Sequence, residues 1–286
     1  MNVVVIGGNG QLGADLMKAF ADESPVSLTH AGIAIEHLDS VSAALSVLKP
    51  DIVVNTAAYH KVDDCEKNPA RSFEVNAVGA MNLAKVCESM GAPLVHISTD
   101  YVFDGRKQTP YVETDLPNPL NTYAVTKVSG EYYIQAYCEK HYVVRTSGLY
   151  GHSPCRAKGR NFIDTMLKLS KEKPELRIVD DEILTPTYTL HLAEQIRELV
   201  KRPEYGVYHV TNNGFCSWYE FALEIFKHAG VSIPVIPVSA KEFPAPIKRP
   251  SYSVLENNRL QALGIDQMPH WRDSLAHYFA SKLPEG

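Results

Sequence analysis

Short apolar, mostly β-branched runs alternate with longer segments of helical pattern through the first half of the chain. The apolar runs predict strands that are buried on both faces, at Val3–Ile6, Val26–Leu28, Ile52–Asn55, Leu94–Ser98 and Tyr142–Arg145. The segments between them predict helices at Leu12–Ala21, Val41–Leu48, Ala70–Met90 and Thr122–Cys138. Because strands that alternate with helices form parallel sheets covered on both sides, we expect an α/β fold with a doubly wound, Rossmann-type parallel sheet.

The pattern changes after about residue 150. Glycine, proline and basic residues cluster at Gly151–Arg160, and Phe243–Pro250 predicts an extended connection. Single strands interrupt the later helices at Arg177–Val179, Val207–Val210 and Val235–Val238. We therefore expect a dinucleotide-binding domain at 1–150 and a smaller, mixed α/β substrate-binding domain at 151–286. The second domain would be discontinuous, because segments near 186–212 and 233–239 are expected to return to the central sheet.

Composition and charge exclude several classes of protein. The chain has 286 residues and a formal net charge of −5, which argues against nucleic acid or an anionic membrane as a partner. No apolar run approaches the ~20 residues of a membrane span. The sequence enters its first strand at once, without the basic segment and cleavage site of an export signal, so we expect a cytoplasmic location.

The cysteines and histidines show no metal-binding pattern. Eleven histidines have no metal-ligand spacing, and the five cysteines contain no C-x-x-C pair. We expect reduced thiols and no metal site. The cysteines are Cys65, Cys87, Cys138, Cys155 and Cys216.

Gly7, Gly10 and Gly13 follow the first strand directly and open the first helix. In this spacing the first glycine allows the tight turn, the second lets the backbone approach a pyrophosphate, and the third lets the helix pack against the strand. The free N–H groups at the start of the helix then face the phosphates. The position between a strand and a helix makes the turn a strong prediction of a dinucleotide site.

The sequence leaves the choice between NADH and NADPH open. A carboxylate at the end of the second strand would bind the adenosine ribose of NAD, but Ser27–His30 contains neither Asp nor Glu, and no arginine stands there for a 2′-phosphate. Asp39 could reach an adenine edge. The alternative is that Asp39 caps the next helix together with Ser40.

Tyr123 and Lys127 form a Tyr-x-x-x-Lys pair in a predicted helix. Residues four apart lie on the same helix face, so the phenol and the ammonium would lie side by side. A neighbouring cation favours the phenolate and lowers the pKa of a group whose reference value is about 10. Tyr123 would then be a general acid near neutral pH, and the hydroxyl of Thr99 or Ser98 could hold a substrate oxygen.

These features together resemble the extended short-chain dehydrogenase/reductase family, and within it the reductases of nucleotide-linked 4-keto sugars. The resemblance covers nearly the whole chain, and its most specific segments are Ser98–Gly105 and Arg249–Leu255. Further matching segments are Gly7–Gly13, Leu38–Asp39, Val54–Tyr59, Val62–Asp63, Asn76, Asn118–Lys127, Val144–Ser147, Pro186–Thr189 and Pro269–Trp271.

The resemblance implies a set of functional residues. Thr99 would be the catalytic hydroxyl, Tyr123 the proton donor, and Lys127 the residue that tunes the tyrosine and holds the nicotinamide ribose. The cofactor would be NADPH or NADH, with NADPH slightly favoured, bound by Gly7, Asn9, Gly10, Gln11, Leu12, Asp39, Ala57, Ala58, Tyr59, Asn76, Ser98, Tyr123 and Lys127. The substrate would contact Val62, Tyr101, Asn161, Arg249 and Ser253. The basic stretch Arg156–Arg160 is a candidate for the substrate diphosphate, with a solvated loop as the alternative.

Two departures from that pattern concern the sugar pocket. Relatives usually have Trp directly after the segment Arg145–Ser147, where this chain has Gly148. Glu182 and Leu184 replace the usual Gln and Gly of the following loop. The altered wall and loop leave the identity of the sugar open.

The expected reaction is NAD(P)H-dependent reduction of the 4-keto group of a nucleotide-linked 6-deoxyhexulose. An epimerase of the same fold is one alternative, whereas a dehydratase would carry an acidic pair beside the catalytic hydroxyl and here only Asp100 follows Thr99. A non-catalytic NADP-binding regulatory subunit is the other alternative. The expected partner is a small nucleotide sugar, with no nucleic acid or membrane, and a homodimer stays open.

Overall fold

The structure is a computed structural model that describes residues 1–154, 159–242 and 247–281. Within these residues the strands are β1 (Val3–Ile6), β2 (Val26–Leu28), β3 (Ile52–Asn55), β4 (Leu94–Thr99), β5 (His141–Thr146), β6 (Leu149–Tyr150), β7 (Leu176–Val179), β8 (Ile183–Leu184), β9 (Thr187–Tyr188), β10 (Gly206–His209), β11 (Cys216–Ser217) and β12 (Val235–Val238). The α-helices are α1 (Gln11–Ala19), α2 (Leu38–Leu48), α3 (Val62–Lys67), α4 (Pro69–Phe73), α5 (Gly79–Met90), α6 (Thr122–Tyr137), α7 (Phe162–Glu172), α8 (Thr189–Leu199), α9 (Trp218–Ala229), α10 (Asn258–Ala262) and α11 (Trp271–Ser281).

Six strands form one parallel sheet in the order β2-β1-β3-β4-β5-β10. The predicted α/β fold with a doubly wound parallel sheet is therefore confirmed. The ends of the first five predicted strands differ from the observed ends by at most one residue. The prediction that all five are buried on both faces is wrong for β2, whose residues are half-buried or exposed because it lies at the edge of the sheet.

Successive side chains of β1 enter two different cores, because neighbouring residues of a strand point to opposite faces. Val3 and Val5 pack with α1 and α8 residues such as Leu16. Val4 and Ile6 pack on the other face, against residues of α2 and α5 such as Leu83. The sheet is thus covered by helices on both sides.

One helix of the first half is interrupted. The predicted helix Ala70–Met90 is α4, a π-helical turn at Glu74–Val78 and then α5, in one continuous helical stretch. The widened turn contains the buried Asn76. Irregular turns of this kind inside helices are frequent at functional sites, and Asn76 does contact the candidate site described below.

The later strands divide between the central sheet and separate small sheets. Of the predicted returning segment near 186–212, β10 joins the central sheet by pairing with β5, whereas β9 pairs with β6 in a separate two-stranded sheet. The predicted return of 233–239 is wrong, because β12 pairs in parallel with β7 in a two-stranded sheet. This small sheet covers a third core of large aromatic residues around Trp271 and Phe221. The exact boundary between a cofactor domain and a substrate domain stays a prediction.

The carboxyl ends of β1, β3 and β4 meet at one edge of the sheet. In the sheet, β1 lies between β2 and β3, so the connections that follow β1 and β3 run to opposite sides and leave a crevice between them. Parallel α/β sheets bind ligands in such a crevice. The helix α6 begins at the same edge. No helix within the described part of the chain is long and apolar enough to cross a membrane.

Candidate active site

The glycine turn has the geometry of a dinucleotide cradle. Gly7 has φ +81°, a left-handed conformation that favours glycine, and the Gly10 N–H donates to the Gly7 carbonyl at 2.8 Å. A Cβ atom at Gly13 would lie 2.1 Å from that carbonyl oxygen. The close approach of α1 to the turn therefore requires glycine there. Beside the turn lies a cavity of about 460 Å³, which Gly7 and Asn9 line.

The opposite wall of this cavity is the segment after β3. Ala57, Ala58 and Tyr59 line the cavity, and the Ala57 N–H donates to Asn55 Oδ1 at 3.1 Å. Asn76 is buried behind the wall, where its amide accepts from the Tyr59 N–H at 2.8 Å and donates to the Tyr59 carbonyl at 2.9 Å. Asn76 thus fixes the backbone of the wall, whereas sequence analysis assigned it to cofactor contact.

The charged residues at the far end of the cavity, which no sequence pattern indicated, are Glu36, Arg71 and His30. Arg71 Nη2 donates to Glu36 Oε1 at 2.5 Å, and His30 Nε2 lies 3.3 Å from the same oxygen. Burial raises the pKa of Glu36, but hydrogen bonds from the backbone, Arg71 and His30 outweigh it and hold the pKa at about 2. Arg71 arrives from α4, so no local pattern in the sequence connects it to Glu36.

Asp39 is exposed in the first turn of α2 and is not among the residues that line the cavity. It does not cap the helix either, because α2 begins at Leu38 after the N-cap position His37. Gln11 and Leu12 lie in the first turn of α1, where Gln11 Nε2 donates to the Gly151 carbonyl at 3.2 Å and Leu12 is buried.

Two features of this region fit a dinucleotide. The glycine turn approaches α1 so closely that a Cβ at Gly13 would clash with it, and one side chain that lines the cavity offers a buried polar atom. That atom is Glu36 Oε2, which has no hydrogen-bond partner among the described residues. An acceptor placed in this way suits the hydroxyl groups of a ribose.

Tyr123 and Thr99 meet at the carboxyl end of β4. Tyr123 lies in the first turn of α6, where the Asn121 side chain caps the helix by accepting from the Ala124 N–H at 3.0 Å. Burial raises the pKa of the Tyr123 phenol, and an interaction with the Thr99 side chain acts in the opposite direction. The ring of Tyr101 packs edge-on against the Tyr123 ring, with 6.3 Å between centroids.

Lys127 does not have the environment that sequence analysis expected. It is buried, and its Nζ donates to the Ile97 carbonyl at 2.7 Å and lies 2.9 Å from His96 Nε2. Burial lowers the pKa of Lys127 to about 8, with Glu131 favouring the charged form. The expected lowering of the Tyr123 pKa by Lys127 is therefore wrong for this structure, since burial of the phenol dominates and raises it.

Ser98 is occupied within the fold. Its hydroxyl donates to Glu131 Oε1 at 2.5 Å, and Glu131 also accepts from Arg145 Nη2 at 2.7 Å. All three side chains are buried. Between the two candidate hydroxyls, Thr99 is thus the one beside Tyr123, and the predicted cofactor contact of Ser98 has no support from its side chain.

Asp100 lies beneath the Thr99 hydroxyl. It accepts from Thr99 Oγ1 at 3.1 Å and from Ser147 Oγ at 2.9 Å, and Ser253 is a third hydroxyl partner. Burial raises the pKa of Asp100, and these hydroxyl groups lower it. Ser253 therefore supports the site from behind, whereas sequence analysis assigned it to the substrate.

On the other side of Tyr101 lies a group of polar and aromatic residues from the C-terminal half. Burial raises the pKa of Glu182, and the positive charge of Arg249 and a hydrogen bond with Trp218 lower it. Burial also raises the pKa of Tyr101, which Arg249 again lowers. Arg249 itself is exposed, so a cation faces solvent beside Tyr101 and Glu182.

No contact with Tyr123 or Thr99 is shown for the remaining substrate candidates within the described residues. Both amide atoms of the buried Asn161 are used locally, because Oδ1 caps α7 at the Asp164 N–H and Nδ2 donates to the Gly151 carbonyl. Val62 is half-buried at the start of α3. Most of the stretch Arg156–Arg160 lies outside the described residues. No group of three or more His, Cys, Asp or Glu side chains could hold a metal ion within residues 1–154, 159–242 and 247–281.

Gly148 and Leu184, two of the residues that depart from the family pattern, lie against each other. Gly148 has φ +56°, and a Cβ atom there would lie 2.9 Å from Leu184 Cδ1 and 2.9 Å from the Thr185 carbonyl oxygen. Leu184 is buried. The space beside the Gly148 backbone is thus occupied by Leu184, which explains in steric terms why a large side chain is absent from position 148.

Comparisons with known proteins agree with this geometry. The model of the family described as RmlD substrate binding domain matches residues 1–283. The chain is 40% identical to the spore coat polysaccharide biosynthesis protein SpsK of Bacillus subtilis (strain 168), over 98% of this chain and 97% of that protein. It is 34% identical to the dTDP-4-dehydrorhamnose reductase of Escherichia coli (strain K12), over 95% of each chain. The crystal structure of the dTDP-4-dehydrorhamnose reductase of Bacillus anthracis str. Ames in complex with NADP matches with a TM-score of 0.93 and 39% identity, covering 98% of this chain and 99% of that chain.

Proposed function

The chain belongs to the dTDP-4-dehydrorhamnose reductase (RmlD) family, and we propose that it reduces the 4-keto group of dTDP-4-dehydrorhamnose to give dTDP-L-rhamnose. Membership confirms the expected enzyme class, an NAD(P)H-dependent oxidoreductase, and the expected cofactor class. The exact sugar and the roles of individual residues are the proposal. The observation that carries it is the Tyr123 phenol beside the Thr99 hydroxyl, with Lys127 one turn further along α6.

The bound nicotinamide cofactor supplies the hydride that reduces the ketone. Tyr123 supplies the proton, because burial raises the pKa of its phenol and keeps it protonated near neutral pH. The Thr99 hydroxyl, which donates to Asp100 in this structure, turns its hydrogen to the substrate oxygen, and this hydrogen bond strengthens as negative charge develops on that oxygen. Lys127 lies on the same helix face as Tyr123, and its proposed part is to hold the nicotinamide ribose rather than to lower the pKa of Tyr123.

In this proposal the glycine turn and the wall 57–59 would hold the cofactor. Gly7, Gly10 and the N–H groups that open α1 would bind its phosphates, and Glu36 would accept from its adenosine ribose. Asn76 keeps the wall in place through its two hydrogen bonds to Tyr59. On the substrate side, the exposed Arg249 binds the diphosphate as a charge-assisted partner, and Tyr101 and Val62 contact the sugar.

The test measures oxidation of NADPH with dTDP-4-dehydrorhamnose for the wild type and for Tyr123→Phe. The variant keeps the ring and loses the hydroxyl that carries the proton, so we expect kcat to fall by about 10²–10⁴-fold while NADPH, followed by fluorescence, still binds. Tyr132→Phe is the matched control, because Tyr132 is exposed on the same helix. Equal rates for wild type and Tyr123→Phe would refute the assignment of the acid.

Product analysis in the same assay separates the alternatives. A reductase consumes one NADPH for each sugar converted, whereas an epimerase changes the sugar without net oxidation of added NADPH. A protein that binds NADPH tightly and turns over no keto sugar would instead be a regulatory subunit. Either of these two results would overturn the proposed reaction.

A further inference from the structure

His96 in β4 is a buried histidine whose two ring nitrogens both face nitrogen atoms. His96 Nε2 lies 2.9 Å from Lys127 Nζ, and His96 Nδ1 lies 3.0 Å from Asn55 Nδ2. Each of the three side chains is only 1% exposed. A neutral imidazole has one donor and one acceptor, so the two neighbours of His96 cannot both donate to it.

The orientation of the Asn55 amide is fixed by the backbone. The Ala57 N–H can only donate, and it donates to Asn55 Oδ1 at 3.1 Å. The amide NH2 group therefore faces His96 Nδ1, which must accept. The remaining hydrogen of the neutral ring is then on Nε2 and points at Lys127 Nζ.

Only a neutral amine can accept that hydrogen. With Lys127 as an amine, every contact is satisfied: Ala57 donates to Asn55, Asn55 to His96, His96 to Lys127, and Lys127 to the Ile97 carbonyl. With Lys127 as an ammonium, Nε2 must accept and Nδ1 must carry the hydrogen. Two donors then face each other at Asn55 unless its amide rotates and releases the Ala57 N–H.

We propose that His96 and Asn55 act as positioning residues that couple the protonation of Lys127 to the cofactor wall at Ala57. In one state Lys127 is an amine, His96 carries its hydrogen on Nε2, and the Ala57 N–H is held by Asn55. In the other state Lys127 has taken up one proton from solvent, His96 carries its hydrogen on Nδ1, and the rotated Asn55 amide frees the Ala57 N–H. The imidazole is neutral in both states.

We call the chain of hydrogen bonds through Asn55, His96 and Lys127 the relay. The charged groups around it make both protonation states of Lys127 accessible. Burial lowers the pKa of Lys127 to about 8, and Glu131 from the next turn of α6 raises it. That carboxylate is already paired with Arg145 of β5. Burial and the charge of Lys127 both lower the pKa of His96 well below its ordinary value, so the ring stays neutral when Lys127 is charged.

The coupling predicts that cofactor binding and proton uptake are linked. Ala57 lines the cavity of the cofactor, so a ligand that accepts from its N–H favours the state in which Lys127 is charged. Linkage is reciprocal, and the affinity for NADP⁺ should fall as the pH rises above about 8, the pKa of Lys127. One linked proton gives a decrease of up to about tenfold per pH unit.

The test is the tautomer of His96 in the free protein, measured by NMR on ¹⁵N-histidine-labelled chain between pH 6.5 and 9.5. His96→Gln identifies the signal by its loss. We expect the Nε2–H tautomer at high pH and the Nδ1–H tautomer at low pH, with NADP⁺ favouring the latter. A tautomer that stays the same across this range, with and without NADP⁺, would overturn the proposal.

Two variants sharpen the test. Lys127→Met removes the amine and should abolish the switch. Asn55→Asp keeps the size of the side chain and presents acceptors to both Ala57 and His96, so it should hold the Nδ1–H tautomer at every pH. An Nε2–H tautomer in Asn55→Asp would contradict the relay, and if that variant does not fold, the wild-type titration and Lys127→Met still decide.

The inference rests on the proposed function only for the part that Lys127 takes in catalysis. The tautomer is read in the absence of any sugar. If Tyr123→Phe retains full activity while His96 switches, the proposed acid fails and the relay stands. If Tyr123→Phe is inactive and His96 does not switch, the relay alone fails.

Discussion

Burial changes the acid–base properties of the candidate catalytic residues in different directions. It raises the pKa of Tyr123 and of Asp100, and it lowers the pKa of Lys127 to about 8. The sequence predicted the Tyr123–Lys127 pair because spacing along a helix is local. It could not predict that Lys127 contacts His96, because that partner comes from a different strand.

The Thr99 hydroxyl has a testable role of its own. Thr99→Val removes the hydroxyl at nearly constant volume, so the substrate oxygen loses one hydrogen bond in the transition state. We expect kcat in the NADPH oxidation assay to fall by about 10²-fold, the lower end for loss of one such donor. Thr99→Ser keeps the hydroxyl and should stay within a few-fold of wild type. A Thr99→Val enzyme with wild-type kcat would show that the hydroxyl is not used.

Glu36 should make the stability of the protein depend on acid. Its pKa is lowered from 4.5 to about 2, so the ionised form stabilises the fold above pH 4.5 and the stabilisation is lost as the pH falls towards 2. Arg71 is partly exposed, which reduces the contribution to about 1–2 kcal/mol. We expect Glu36→Gln to lower the free energy of unfolding by this amount at pH 6–7 and by progressively less down to pH 3, measured by urea denaturation.

The control for this experiment is Glu74→Gln. Glu74 also pairs with Arg71, but its side chain is 57% exposed, and such surface pairs contribute little. The free energy of unfolding should therefore change by less than about 0.5 kcal/mol. A pH dependence in Glu36→Gln that equals that of the wild type would show that the carboxylate is not stabilised in the fold.

At the level of elements, helix α6 connects catalysis to cofactor binding. Its first turn carries Tyr123, its second carries Lys127, and its third packs at Gly130 against the widened turn of Asn76. The sequence predicted α6 and the glycine turn, because helical periodicity and glycine spacing are patterns within a few residues of each other. It predicted one regular helix at 70–90, since nothing in the local pattern indicates the π-helical turn.

Gly130 permits the close contact between α6 and that turn. A Cβ atom at this position would lie 2.3 Å from the Asn76 carbonyl oxygen and 3.2 Å from Ala80 Cβ. Alanine favours helices by about 1 kcal/mol over glycine, but the clash should exceed this gain. We expect Gly130→Ala to lower the free energy of unfolding by about 1–2 kcal/mol and to weaken NADPH binding, because Asn76 holds Tyr59 in the cofactor wall.

A matched substitution on the exposed face of the same helix provides the control. Val125 is 46% exposed, so Val125→Ala changes helix propensity without a clash. Denaturation and fluorescence titration of both variants then separate the contact from the helix itself. If Gly130→Ala is as stable as Val125→Ala and binds NADPH equally well, the contact at Asn76 does not position the wall.

At the level of the whole molecule, polar contacts connect the C-terminal half to the cofactor-binding half, in addition to the pairing of β10 with β5 and the apolar packing of α8 with α1. Asn121 caps α6 and also donates to the Lys248 carbonyl at 3.0 Å, and Thr189 donates to the buried Asp15 at 2.6 Å. The α/β alternation predicted the main sheet, because local pattern determines it. It could not predict that β12 pairs with β7, since pairing between distant short strands depends on tertiary packing.

Gly148 and Leu184 provide a quantitative test of how the two halves fit together. Leu184 of β8 packs where a side chain at position 148, just after β5, would lie. Gly148→Ala adds backbone strain at φ +56° and this clash, so we expect a loss of about 2–3 kcal/mol in the free energy of unfolding. Gly91→Ala has similar strain at φ +67° with nothing within 4 Å, and it measures the strain alone.

The double-mutant cycle with Leu184→Ala isolates the contact. Leu184→Ala alone should cost about 2 kcal/mol or more, because the side chain is buried. In the double variant the shortened side chain leaves room for the new methyl group, so the combined loss should be smaller than the sum by about 1 kcal/mol. Additive losses would mean that the Thr185 carbonyl, 2.9 Å from the added Cβ, accounts for the clash. A coupled pair would instead show that the two departures at the sugar pocket depend on each other, since a larger residue at 148 requires a smaller one at 184.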